Sequence, residues 1–131
     1  MKKIADRIAA TVAIVFSGLS LAEGSQVLLR LSIPDYIVFT PLLIYNVIMG
    51  VVGIYVGVQI FRRQKNSLKY STIVALFHIS TLVTVSLLYF ISSAVSTHSV
   101  NAMILRSSLW LIVTISVLLS KRNFTELKEK L

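Results

Sequence analysis

The chain has no cysteine, two prolines, two histidines and five acidic residues among its 131 positions. Without cysteine there are no disulfides, thiolate metal sites, iron–sulfur ligands or thiol nucleophiles, and the redox compartment leaves no mark on the sequence. No HExxH motif and no glycine-rich phosphate loop occurs. A Ser–His–acid triad would need groups that the chain scatters widely. These absences argue against hydrolytic or metal-centred catalysis by this chain alone, and no metal ligand set is expected. Charge is scarce altogether: 14% of residues are Asp, Glu, Lys or Arg, against about 25% in soluble domains.

What the chain has instead is hydrocarbon. Fifty-six per cent of its residues are hydrophobic, and its mean hydropathy is +0.84. Four apolar runs, residues 4–22, 41–61, 70–94 and 101–120, each come near the ~20 helical residues that cross a bilayer core of about 30 Å. The expected fold is all-α: an integral membrane four-helix bundle, one transmembrane domain over residues 1–131.

The net charge of +8 follows the same plan. Lys2, Lys3 and Arg7 precede the bulk of the first run, Arg62, Arg63, Lys65 and Lys69 follow the second, and Lys121, Arg122, Lys128 and Lys130 follow the fourth. Under the positive-inside rule both termini and the 62–69 loop are cytoplasmic, while loops 23–40 and 95–100 face outward. A nucleic-acid surface is the poorer reading, since no soluble domain is there to display it. The first run has a rival reading as a secretory leader, with Ser20-Leu21-Ala22 as the cleavage site, although Asp6 is unusual in a leader.

Between the first two spans, "EGSQVLLRLSIPDYIVF" is too interrupted to cross a bilayer and too apolar for an ordinary loop. It reads as an amphipathic segment in the outer interface, with Arg30 snorkelling to headgroups. Thr40 is placed to cap the second helix and Pro41 to occupy its first position. The tail "NFTELKEKL" is a short solvated helix at most.

Within lipid, helices associate through close packing and hydrogen bonds. Gly50, Gly53 and Gly57 fall on one helical stripe, matched by Ala9, Ala13 and Ser17 in the first span. The stripe serves packing within the chain, docking onto another membrane subunit, or self-association.

Arg106 is a permanent cation inside the fourth run, and the spans are read as free of embedded acid. By helical rise, Ser17, Asn46, Tyr89 and Arg106 each lie about 7–8 Å below the outer boundary. Three readings of Arg106 stand side by side. It snorkels to the outer headgroups across Trp110, or it clamps Asn46 and Tyr89 and reaches Glu23 or Asp35. In the third, these four residues line a cleft that meets a carbonyl or anionic group of a lipid, quinone or small metabolite. His78 is assigned a different level, about 12 Å from the cytoplasmic side. It is a haem ligand, a proton relay or a helix-to-helix hydrogen bond. Haem is disfavoured because the second histidine, His98, sits in the outer loop.

In layout, with "DRIAATVAIVFSGLSL" in the first span and "YNVIMGVVGIYVG" in the second, the chain resembles the DoxX-like group of small four-span bacterial membrane proteins. That resemblance implies an inner-membrane accessory subunit or a quinone-associated redox component. Members often carry an acid four residues before a glycine in the second span. Here Asn46 stands ahead of Gly50, which puts a transferred acid–base role in doubt. The expectation is therefore a non-catalytic binding or accessory protein, with a quinone-linked redox or small-solute transport component as the alternative.

Overall fold

The computed structural model describes residues 2–31, 33–35 and 37–130. Met1, Ser32, Tyr36 and Leu131, which fall in the basic start, the outer segment and the tail, lie outside the described residues. Four helices account for most of the chain: α1 (Lys2–Leu28), α2 (Thr40–Phe61), α3 (Ser67–Ile91) and α4 (Thr97–Glu129). Among the described residues there is no strand. All four helices are long and apolar enough to cross a membrane. An apolar medium demands that every backbone N–H and C=O find a partner within the chain, and a helix provides this.

The helices pack as a ring, α1 against α2, α2 against α3, α3 against α4 and α4 back onto α1, with the α1–α2 contact the most extensive. What faces out is hydrocarbon: Ile4, Ile8, Val12, Val15 and Leu19 on α1, and Ile104, Leu111, Ile112, Ile115 and Leu119 on α4. What faces in includes Asp6, Ser17, Ser20, Ser67, Ser71, His78, Ser107 and Ser120, all buried. A water-soluble bundle would need the reverse arrangement. The distribution is compatible with a membrane helical bundle.

The glycine stripe explains the α1–α2 contact. A Cβ on Gly50 would lie 3.1 Å from the Ser17 carbonyl oxygen and 3.2 Å from Leu21 Cα. One on Gly57 would lie 3.3 Å from the Ile14 backbone nitrogen and 3.4 Å from the Ala10 carbonyl oxygen. At Gly53 it would run into the Ser17 side chain. The facing row on α1 is thus Ala10, Ile14, Ser17 and Leu21, one step round from the expected Ala9–Ala13–Ser17 line. Ala9 and Ala13 are buried as well.

Helix ends depart from the expected ones. Thr40 is the first helical residue of α2 and not its cap; Phe39 holds the cap position without a side-chain hydrogen bond, and Pro41 sits within the first turn. α1 continues through Glu23–Leu28, so the first part of the outer segment is helix. Its described remainder, up to Phe39, is irregular, with Leu29, Leu31, Ile33 and Ile37 exposed. α4 starts at Thr97, capped by the Ser96 hydroxyl, which accepts from the Ser99 N–H at 3.2 Å. It runs unbroken into the tail, to Glu129. α1 and α2 both end on arginines in the left-handed region, Arg30 (φ 59°) and Arg63 (φ 54°). In each case the next N–H reaches back five residues: Leu31 to the Gln26 carbonyl at 2.8 Å, and Gln64 to the Gln59 carbonyl at 3.0 Å. Glycine normally holds this position, and a side chain there costs roughly 1–2 kcal/mol.

Candidate functional site

Two small chambers follow one another down the middle of the bundle from the end that carries the α1–α2 and α3–α4 loops. The upper one, about 90 Å³, is lined by Ser20, Glu23, Gly24, Asn46, His98, Ala102 and Arg106, among others. The lower one, about 10 Å³, is bounded by Ser17, Ser20, Asn46, Gly50, His78, Arg106 and Trp110. Ser20, Asn46 and Arg106 belong to both, so they form the neck between them. The lower chamber has room for about one water molecule.

Each element contributes for a local reason. α1 brings Ser17 and Ser20 inward because its small-residue face packs on the α2 glycines. The absence of side chains at Gly50 and Gly53 lets α1 close in until Ser17 lies against the α2 backbone. α4 presents Arg106 one turn from Trp110, which is 2% exposed and anchors the apolar cluster below. α3 delivers His78, which is 3% exposed. Its ring stacks on Trp110 at 6.3 Å between centroids, and Tyr45 meets it edge-on. The Tyr45 hydroxyl lies 3.4 Å from His78 Nδ1.

Of the four residues expected to share a layer, Ser17, Asn46 and Arg106 converge and Tyr89 does not. Tyr89 is 41% exposed, packs edge-on to Phe90 at 5.5 Å, and its hydroxyl accepts from Thr97 at 3.2 Å. His78, assigned to another level, joins the other three. Helix ends account for both shifts. α3 stops at Ile91, which leaves Tyr89 almost at its tip, while α1 and α4 extend further toward the loops than expected. Ser17 and Arg106 therefore lie roughly 14–16 Å from their helix ends, near the bundle middle where His78 also sits. His98, read as a loop residue, stands in the first turn of α4 and, like Glu23, lines the upper chamber.

Chemically, the neck offers a guanidinium, a carboxamide and a serine hydroxyl. Asn46 Oδ1 is buried without a hydrogen-bond partner among the described residues. A buried acceptor left unmade costs about 1–3 kcal/mol, which a water or a donor group in the chamber would offset. No three His, Asp or Glu side chains converge as a metal site among the described residues.

A second polar cluster lies at the opposite end, and sequence reasoning missed it. Asp6 is 6% exposed inside an apolar helix. The expectation that no acid is embedded in a span fails there. Its Oδ2 accepts from Arg63 Nε at 3.2 Å and from the Ser120 hydroxyl at 2.9 Å. Asp6 thus ties α1 to the α2–α3 turn and to α4. The signal available in the sequence was the placement of an acid within one turn of an apolar run, where desolvation requires a partner.

Comparisons with protein-family models, with curated proteins and with solved structures return no significant match.

Proposed function

We propose that this is a non-catalytic accessory or binding protein of the bacterial inner membrane, multi-pass, with both termini in the cytoplasm. At the outward end of the bundle it receives one carbonyl or anionic group of a lipid, quinone or small anionic ligand. Arg106 and the Asn46 amide nitrogen would donate to that group, with Ser17 and Ser20 completing the polar wall and a water meeting Asn46 Oδ1. The observation that carries this reading is the neck itself: the Arg106 guanidinium and the Asn46 carboxamide brought together inside the bundle, with a chamber leading to the loop end. The chamber of about 90 Å³ is well under the ~300 Å³ at which small-molecule pockets begin. It therefore suits one group of a ligand whose bulk lies outside, in lipid or in a neighbouring subunit. The distribution of Lys and Arg supports the orientation, and the DoxX-like layout supports an accessory role beside other membrane subunits.

A specific contact favours a second reading. His78 and Tyr45 lie together below the neck, an arrangement that fits a proton relay in a quinone-linked redox or transport component.

The test is purification in mild detergent, with mass spectrometry of copurifying proteins and lipids, for the wild type and Arg106→Gln. Binding at the neck predicts a companion subunit or small ligand that the wild type retains and the variant loses, at unchanged thermal unfolding. A retained quinone would favour the relay reading. Identical companions in both samples would reduce Arg106 to a snorkelling anchor, and a destabilised variant would make it an internal clamp.

A further inference from the structure

A cavity of about 520 Å³ opens at the other, basic end of the bundle, with Arg63, Lys65, Lys121 and Asp6 in its wall and Ile60 and Val117 beneath them. Its size falls within the range of about 300–1,000 Å³ typical of small-molecule sites. Three cations face one acid, so the wall carries an excess of two positive charges. Asp6 is engaged on one oxygen: its Oδ2 is bonded by Arg63 and by Ser120, while its Oδ1 is buried without a hydrogen-bond partner among the described residues. That bond uses Arg63 Nε and does not consume the two terminal nitrogens of the guanidinium fork. Lys121 Nζ donates to the Lys65 carbonyl at 2.6 Å and, at 3.5 Å, to the Gln64 carbonyl, which leaves one of three ammonium donors and holds the charge at the cavity edge.

Backbone and position point the same way. Arg63 occupies a left-handed turn position, φ 54°, where glycine would fit with less strain and would supply no charge. The apolar run of α2 ends at Phe61 and that of α4 at Leu119. Ile60 and Val117 therefore belong to the hydrocarbon zone, and the cations just beyond them to the zone of headgroups. A ligand that satisfies both layers has a phosphate above and a hydrocarbon chain below. We infer that this cavity binds the phosphate headgroup of an anionic phospholipid. The site rests on the membrane-spanning reading and is independent of the Arg106 neck.

Native mass spectrometry of the full chain, titrated with phosphatidylglycerol or phosphatidylcholine, tests it. One phosphatidylglycerol per chain should survive conditions that strip phosphatidylcholine. Lys65→Gln combined with Lys121→Gln should weaken retention about tenfold or more, as the loss of charge-assisted hydrogen bonds implies. Lys128→Gln, on the exposed tail of α4, should leave it unchanged. Should the double variant fail to fold, Lys65→Gln alone, on the exposed turn, carries the test with the same direction of change. Equal retention of the two lipids, or retention indifferent to Lys65→Gln, would overturn the inference. Inorganic phosphate should bind more weakly than the lipid, for want of a hydrocarbon chain. Phosphate alone binding as tightly as the lipid would overturn the lipid assignment. None of these outcomes bears on Arg106.

Discussion

At the basic end, Asp6 is bonded on one oxygen by Arg63 and Ser120, beside a cavity of about 520 Å³. At the loop end, Arg106 and Asn46 stand at the neck of two chambers of about 90 and 10 Å³. Between them lies an apolar plug that includes Ala10, Ala13, Val56, Val74, Ala75 and Val113. The first cluster joins three segments through an ion pair and a hydroxyl, so its energy is invested in holding the bundle end together. The second gathers serine, carboxamide and imidazole groups around Arg106, with Glu23 in the wall of the upper chamber, and leaves Asn46 Oδ1 without a partner among the described residues, as the first leaves Asp6 Oδ1. What differs is cross-linking: Asp6 Oδ2 bridges α1, the α2–α3 turn and α4, whereas Asn46 Oδ1 bridges nothing among the described residues.

Both regions hang on the α1–α2 contact, and disturbing it should have the largest effect. Gly50→Val would press a Cβ against the Ser17 carbonyl and Leu21 Cα. These are backbone atoms that cannot rotate aside. The expected loss is about 3 kcal/mol, at the upper end for overpacking, read as a drop in thermal unfolding midpoint in detergent. An unperturbed midpoint would mean that the glycine stripe does not set the spacing of either cluster. Asp6→Ala comes next and acts on the basic end alone. Breaking a fully buried pair costs about 3–5 kcal/mol. Because Arg63 is 36% exposed on its side chain and can turn to water, about 2 kcal/mol is expected here. Denaturant titration checks it, and whatever the wild type binds at the Arg106 neck should be retained. Loss of that binding would couple the two ends and break the comparison.

Much of the fold was legible in the sequence because the constraint behind it is simple. Lipid requires long apolar helices, so four runs of suitable length and a glycine row sufficed to foresee four helices and the α1–α2 contact. Depth was less legible. The expected common layer of Ser17, Asn46, Tyr89 and Arg106 was counted from apolar boundaries, but helices run past those boundaries on polar residues. Glu23–Leu28 prolong α1, and Thr97–Val100 prolong α4. Counting from the true ends drops Tyr89 from the site and brings in His78. Asp6 was misjudged for a related reason. Near the end of a run an acid looks solvated, and only the tertiary fold reveals that Arg63 and Ser120 close over it.

The most direct test of an inward, water-connected Arg106 neck exploits the lack of native cysteine. Ser20, 8% exposed and shared by both chambers, is replaced by cysteine and treated in vesicles with a membrane-impermeant anionic thiol reagent. Labelling should proceed from the loop end and not from the basic end, and Arg106→Gln in the same chain should slow it. Absence of labelling from the loop side, or labelling indifferent to Arg106, would contradict the account.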